Sequence, residues 1–255
     1  MRQITLVATQ TFKEIYQSKI LLNVFILGLA IAVAIFVSSE MTFGTPARIG
    51  LDIGLGALSL SSIAIAIFMG STLIEKEIKN RTLYMIISRP VSRVTFYLGK
   101  MAGLSAILLI NILLLFCFVM LLYFSVGGKF HYLIPWSLVF IYLEAVVVLF
   151  CVVFLSLVSN TIIAVLFTLT IYVAGHAVES VKETSMFLSE GSLSYFVEYY
   201  SKLMPNLSKF NIKAFVLYDG ALSNTYLFSS LIYGLLWIAI FSAISIFIVN
   251  RKDFS

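Results

Sequence analysis

The chain has 255 residues, of which 61% are apolar and 11% are charged, and its net charge is +5. Its mean hydropathy is +1.05, whereas soluble domains are about half apolar and about a quarter charged. A water-soluble globule of this size cannot bury so much apolar surface, so the composition excludes a soluble enzyme, a nucleic-acid-binding module and a disordered chain. It predicts an all-α integral membrane protein in which residues 1–255 form a single transmembrane domain.

The first 19 residues have a two-sided pattern. Apolar side chains recur at helical spacing along one face, at Ile4, Val7, Ala8, Thr11, Phe12, Ile15 and Tyr16, and the polar residues Lys13, Glu14 and Gln17 fall on the other. This pattern predicts an amphipathic helix that lies in the membrane interface and leads into the first span.

Long charge-poor runs follow. About 20 helical residues cross the roughly 30 Å hydrocarbon layer of a membrane. The runs that reach this length are residues 20–39, 53–74, 101–128, 133–178 and 220–250. The run 133–178 is long enough for two helices, and the sequence Ser-Leu-Val-Ser-Asn at 156–160 offers turn and N-cap chemistry between them. We therefore predict six transmembrane helices.

The distribution of Lys and Arg predicts the orientation. With the N-terminus inside, the inner segments carry eleven basic and four acidic residues, and the outer segments carry six basic and seven acidic residues. Basic residues favour the cytoplasmic side. We expect a multi-pass protein of the cytoplasmic (inner) membrane with both termini in the cytoplasm.

Residues 179–219 form the predicted outer segment between the fifth and sixth spans. An apolar stripe from Leu193 to Met204 stops at Pro205, which predicts one short helix. A second short helix is expected over Leu207, Phe210, Ala214 and Leu217. Both are too short to span, so we expect these extracytoplasmic helices to lie at the outer surface or to dip into it.

The inner loop after the second span is charged and amphipathic. Its apolar side comprises Ile78, Thr82, Leu83, Met85 and Ile86. Pro90 disfavours helix at Arg89, and Ser92 can then cap the third membrane helix. Such a loop suits docking to a cytoplasmic partner, although a solvated loop that only obeys the positive-inside rule fits the same pattern.

The order of the motifs in this loop resembles type-2 ABC transporter permeases. The matching residues run Glu75-Lys-Glu, then Arg81-Thr-Leu, then Ser88-Arg-Pro-Val-Ser-Arg, then Gly99-Lys100. The amphipathic N-terminal helix, the six spans, the long fifth-to-sixth connection and the basic C-terminal tail are similar as well. Residues 86–88 read Ile-Ile-Ser where the family usually has leucines.

The resemblance implies that residues 75–93 form a coupling helix seated on a cytoplasmic ABC ATPase subunit. In that family two ATPase chains drive two permease chains, so the second permease is either a copy of this chain or a paralogue. The implied docking residues are Glu75, Glu77, Arg81, Thr82 and Arg89, and Pro90, Ser92 and Arg93 would set the turn. ATP and Mg would belong to the partner, with no cofactor on this chain, and the surrounding lipids but no nucleic acid would be further partners.

The chain has no GxxxxGK[ST] loop for nucleotide phosphates. If it moves cargo with ATP, a separate subunit must hydrolyse the ATP. We therefore expect a permease and not an enzyme.

Polar residues inside the spans are candidates for a substrate path. A carboxylate at the bilayer centre costs about 2.5–3.5 kcal/mol on insertion scales. A favourable interaction must therefore compensate for Glu144 in the fourth span. Glu144 either faces an aqueous cavity as a cargo or gating contact, or forms a polar pair with Asn111, Tyr142 or a backbone group. Asn111 is the second candidate, with interhelical bonding as its ordinary role. His176 is interpreted as a lone histidine without a partner, and no metal site is expected.

Three rival functions remain open at this point. An intramembrane enzyme would need a catalytic constellation, and the sequence has neither HExxH nor GxSxG. An ion-coupled secondary transporter would show internal repeats and buried charges near the midplane, of which only Glu144 is present. A non-transporting membrane scaffold is the third.

Overall fold

A computed structural model describes residues 2–16, 46–79, 92–182 and 204–251, with single helical positions at 26, 28, 30, 32, 33, 36, 37 and 199. Within these ranges, the backbone alone is described at 2–4, 13–16, 73–79, 180 and 182. Every regular element in the described part of the chain is helical. Five of these helices are long and apolar enough to cross a membrane. The chain is therefore a multi-pass α-helical membrane protein.

Seven α-helices and one 3₁₀ helix make up the described fold. In chain order they are α1 (Arg2–Tyr16), α2 (Pro46–Lys79), α3 (Arg93–Ser125), α4 (Leu133–Val158), α5 (Thr161–Lys182), the 3₁₀ helix (Leu207–Phe210), α6 (Lys213–Leu217) and α7 (Asn224–Arg251). The long helices α2, α3, α4, α5 and α7 coincide with the second to sixth predicted spans. The described positions between 26 and 37 are helical, but most of the first predicted span, 20–39, lies outside the described residues, so the count of six stays a prediction.

The helix α2 is longer than its charge-free run. It begins at Pro46, where a proline lacks only a hydrogen bond that the first helical turn leaves unmade, and it continues past the apolar region to Lys79. The prediction of 53–74 therefore captured only the charge-free part of a 34-residue helix.

Both ends of α3 follow from local chemistry. Ser92 is extended and its hydroxyl accepts a hydrogen bond from the backbone N–H of Thr95 at 3.1 Å, which confirms the predicted N-cap. The helix ends at Ser125, three residues before the predicted limit of 128. The reason is Gly127, whose φ of +85° suits glycine and turns the chain out of the helix.

The predicted break between the fourth and fifth spans is confirmed. Helix α4 ends at Val158, Ser159 adopts an extended conformation as its C-cap, and α5 begins at Thr161. The Ser159 hydroxyl and backbone N–H both donate to the carbonyl of Leu155 at 2.8 Å. Ser159 therefore caps the end of α4 and forms the turn into α5.

Helix α4 lies at the centre of the bundle, since it contacts α2, α3, α5 and α7. The long helices alternate in direction, which gives the bundle two ends. One end, which we call the cavity end because a polar cavity lies near it, is defined by Pro46, Ser125, Leu133, Lys182 and Asn224. The hairpin end is defined by Lys79, Arg93, Val158, Thr161 and Arg251, and there the Arg93 guanidinium donates to the carbonyl of Val249 at 3.5 Å.

The N-terminal helix α1 packs on α3. Thr11 is 1% exposed and Val7, Ala8 and Phe12 are half-buried, so the predicted apolar face is the one that makes contact. The approach is close because Gly103 has no side chain. A Cβ atom at that position would stand 2.9 Å from the carbonyl oxygen of Ala8 and 2.9 Å from the Cβ of Thr11.

We expect Gly103→Ala to loosen α1 from α3. The added methyl group meets backbone on the other helix, which cannot rotate away, and such overpacking costs about 1–3 kcal/mol. Amide hydrogen exchange across Arg2–Tyr16 should therefore rise about tenfold. The matched control is Gly28→Ala, where the new Cβ would meet Leu115 Cδ2 at an ordinary 3.6 Å. Equal exchange in the two variants would contradict the close approach.

The connection before α7 differs from the prediction. The single helix expected over 207–217 is instead a 3₁₀ turn and the one-turn helix α6, separated at Asn211 and Ile212. It does dip into the bundle, since Leu207, Phe210, Ile212 and Val216 are each at most 3% exposed. The helix predicted over 193–204 lies almost wholly outside the described residues.

Candidate functional site: a polar cavity in the helix bundle

Glu144 and His176 form a buried pair between α4 and α5. The Nε2 of His176 lies 2.6 Å from the Oε1 of Glu144. The carboxylate side chain is 3% exposed and the imidazole is 25% exposed. Glu144 is eleven residues from the start of α4, which places it about 16 Å along the helix axis. The pair satisfies a carboxylate that would otherwise be costly to bury in an apolar bundle.

The α4–α5 hairpin brings the two residues level. Glu144 precedes Ser159 by 15 residues, and His176 follows Asn160 by 16 residues. Two antiparallel helices with the same rise per residue therefore place them at the same height. Tyr172, one turn before His176, holds the imidazole edge-on, with ring centroids 4.8 Å apart.

Lys213 brings a positive charge to the same region from α6. Burial lowers the pKa of its ammonium group, and the negative charges of Glu144 and Asp52 oppose that shift. Its Nζ lies over Gly56 of α2, 3.9 Å from where a Cβ atom of that glycine would stand. The site thus combines groups from α2, α4, α5 and α6.

The segment that carries Lys213 is fixed by hydrogen bonds. The Glu179 carboxylate of α5 accepts from the Asn206 amide at 3.1 Å and from the Ser208 hydroxyl at 3.2 Å. The backbone N–H of Asn206 donates to the Tyr233 hydroxyl of α7 at 2.7 Å. Phe210 packs between α4 and α7, with its ring 6.3 Å from that of Phe140 and 6.2 Å from that of Tyr233.

A cavity of about 230 Å³ lies among these groups. Its polar wall includes Glu144, His176, Tyr172, Ser59, Ser137 and Lys213. Its remaining lining is mainly apolar. A small concave space with a few convergent polar groups is the usual form of a ligand site.

Of the two predicted substrate-path residues, only Glu144 lines this cavity. The Glu144 partner is His176 and not Asn111 or Tyr142, whose hydroxyl donates instead to the carbonyl of Ser105 at 3.3 Å. The interpretation of His176 as a lone histidine was therefore wrong. Asn111 is 1% exposed, and neither atom of its amide group has a hydrogen-bond partner among the described residues.

The predicted docking residues are described only in part. Glu75 and Glu77 lie in α2, where the structure describes their backbone only. Ser92 is the N-cap of α3, and Arg93 is its first residue. Arg81, Thr82, Arg89 and Pro90 lie outside the described residues. Of the predicted docking residues, the structure thus describes those that lie in α2 and at the start of α3, on either side of residues 80–91.

Sequence reasoning missed His176, Lys213 and Tyr172 as members of one site. The nearly equal spacing of Glu144 and His176 from the 159–160 turn was a usable signal, because an antiparallel hairpin pairs such positions. No comparable sequence signal points to Lys213, which reaches the site only because its segment folds back into the bundle.

Comparison with protein-family models and with curated proteins finds no match for this chain. The site must therefore be interpreted from its chemistry. Among the described residues, no group of three or more His, Cys, Asp or Glu side chains is placed to hold a metal ion. The arrangement offers a buried carboxylate, an imidazole, an ammonium group and hydroxyls around one space, which suits binding of a small polar group.

Proposed function

We propose that the chain is the membrane permease subunit of a type-2 ATP-binding cassette transporter. It would move a substrate across the cytoplasmic membrane with energy from a separate cytoplasmic ATPase. The observation that carries this proposal concerns α2 and α3 at the hairpin end of the bundle. Both helices continue there beyond their charge-free runs. The charge-free run of α2 ends at Ile74 while the helix continues to Lys79, about 8 Å further.

Helix α3 extends in the same way. It begins at Arg93, eight residues before its charge-free run starts at Met101, which amounts to about 12 Å. We call these two helix ends, residues 75–79 of α2 and 93–100 of α3, the stalk; they flank residues 80–91 in the chain. This geometry supports a docking role better than a plain connecting loop does, because a short loop between two spans needs no such stalk.

The rest of this end is compatible with force transfer. The amphipathic α1 packs against α3 near Gly103, and Arg93 bonds to the last turn of α7. A partner that moves the stalk would therefore also move α1 and α7. In this proposal both termini and the stalk are cytoplasmic, and the partner ATPase supplies the nucleotide site with its Mg.

The exposed apolar surface supports a further element of the proposal. Ile162, Phe167 and Val173 of α5 are 75%, 59% and 65% exposed, and Phe228 and Leu236 of α7 are each 57% exposed. These side chains need lipid or another apolar helix. A second permease chain and the surrounding lipids would cover them in the assembled transporter.

The second candidate function is an ion-coupled secondary transporter. The observation in its favour is the buried Glu144–His176 pair, since intramembrane carboxylates and histidines mark proton paths in such proteins. The two candidates differ in their energy source. Transport by the chain alone in proteoliposomes, driven by a proton gradient, would favour the secondary transporter.

The docking role predicts that charge reversal on the stalk releases the ATPase. The test co-expresses the chain with a cytoplasmic ABC ATPase of the same organism. The variant combines Glu75→Lys and Glu77→Lys on the stalk with Arg81→Glu in residues 80–91. We expect co-purified ATPase and its stimulation to fall at least about tenfold, since several charge-assisted contacts would become repulsive.

The matched control is Arg48→Glu at the cavity end. Arg48 is an exposed partner of Asp219 at 3.6 Å, so its reversal alters surface charge without touching the stalk. Complex formation that survives the triple reversal, or that Arg48→Glu disrupts equally, would contradict the proposal.

A further inference from the structure

We propose that the cavity between Glu144 and Lys213 binds a zwitterionic group, with the primary ammonium of the ligand on Glu144 and its phosphate or carboxylate on Lys213. The proposal concerns binding and goes beyond the transport function, so it holds or fails without the ATPase.

Opposite charges line one cavity without neutralising each other. Glu144 and Lys213 interact electrostatically, but within the described part of the chain the close contact of the Glu144 carboxylate is with His176 and not with Lys213. The space between carboxylate and ammonium is the cavity of about 230 Å³. A ligand with its own pair of opposite charges can span that gap and satisfy both groups.

Glu144 retains capacity for a ligand. Its Oε1 lies 2.6 Å from the Nε2 of His176, and a carboxylate has a second oxygen and further lone pairs that can accept hydrogen bonds. A neutral imidazole that donates through Nε2–H leaves the carboxylate charged. A primary ammonium has three N–H donors, so it can bind Oε2 and still donate to a neighbouring hydroxyl such as that of Ser59 or Tyr172.

Lys213 is placed to receive an anionic group. Its ammonium lies over Gly56, and the missing side chain there leaves room at the α2 wall. Burial lowers the pKa of Lys213. A bound anion beside its ammonium group would favour the charged form again. The cavity volume is below the roughly 300 Å³ at which drug-sized pockets begin, so it suits a headgroup or an amino acid in size.

The cavity has two exposed lining residues, which define two possible sources of the ligand. Leu60 is 63% exposed on the apolar side of α2, where a lipid chain can lie while its headgroup enters. Asn211 is exposed on the segment between the 3₁₀ helix and α6, where a free solute can enter. A phosphoethanolamine headgroup and a free zwitterion share the chemistry that the site recognises.

The test measures binding to the purified full-length chain in detergent by isothermal titration. The probes are dihexanoyl phosphatidylethanolamine and glycerophosphoethanolamine, the same headgroup without chains. We expect saturable binding of the first probe, and about tenfold weaker binding of the phosphatidylcholine and phosphatidylglycerol analogues, which lack the primary ammonium. Equal affinity for glycerophosphoethanolamine would assign the site to a free zwitterion, and binding of the lipid alone would assign it to a headgroup.

Two variants tie the binding to the cavity. Glu144→Gln, which keeps a hydrogen-bonding group for His176, and Lys213→Met should each weaken binding of the ethanolamine probe at least about tenfold. The control Arg48→Gln removes an exposed cation at the same end of the bundle and should leave the affinity unchanged. The proposal is overturned if neither probe binds, if the choline and glycerol lipids bind equally well, or if Lys213→Met binds like the unmodified chain.

Discussion

Replacing His176 by Leu is expected to destabilise the folded chain by about 3 kcal/mol. The reason is that Glu144, 3% exposed, would remain buried without the group that lies 2.6 Å from its carboxylate. Removing one member of a buried pair leaves an uncompensated charge, which costs more than the pair itself contributes. Equilibrium unfolding in mixed micelles, with increasing sodium dodecyl sulfate, measures this change.

Two further variants separate the charge from the packing. Glu144→Gln should cost only about 1 kcal/mol, because the amide can still bond to His176 without a charge to compensate. The double variant Glu144→Leu with His176→Leu should recover most of the loss, since apolar residues often replace a buried pair without penalty. If the double variant is as unstable as His176→Leu alone, the unpaired carboxylate is not the cause.

Introducing Gly175→Ala is expected to lift the 3₁₀ segment off α5. A Cβ at this position would stand 2.8 Å from the carbonyl oxygen of Pro205 and 3.0 Å from the Cγ of Leu207. The carbonyl cannot give way easily, because the next residue, Asn206, is held by Tyr233 and Glu179. The overpacking cost of about 1–3 kcal/mol, less the roughly 1 kcal/mol gain in helix propensity, leaves an expected net loss of up to about 2 kcal/mol.

Hydrogen exchange in 204–217 is the direct measurement for this variant. Exchange should rise about tenfold there and change little in α4, because the segment opens locally. Gly56→Ala is the control, since its new Cβ would meet Lys213 Nζ at an ordinary 3.9 Å. Unchanged exchange in Gly175→Ala would show that the segment tolerates the methyl group and is not tightly seated.

Local signals predicted most of the helices well. The hydropathy of the spans, the Ser92 cap and the break at Ser159 and Asn160 each depend on a few neighbouring residues, and the structure has all three. The predicted helix boundaries were less accurate where a helix continues beyond its charge-free run. Charge-free length predicts the apolar stretch of α2, but Pro46 and the polar residues up to Lys79 continue the helix because they too favour or tolerate it.

The site was only partly predictable. Glu144 was identified because burying a carboxylate costs free energy, which a partner group must offset. The choice of His176 over Asn111 depends on the register of the α4–α5 hairpin, which a search along single helices does not consider. The position of Lys213 depends on how a short segment folds against four helices, and such long-range packing leaves no periodic pattern in the sequence.

The continuity of α2 links the two ends of the bundle. This one rod carries Gly56 and Ser59 of the cavity wall and also Glu75 of the stalk, and 19 residues from Gly56 to Glu75 amount to about 28 Å. No loop or hinge interrupts that stretch of backbone, which is helical throughout. A displacement of the stalk must therefore tilt or shift the cavity wall as a lever does, without any relay of side-chain rearrangements between them.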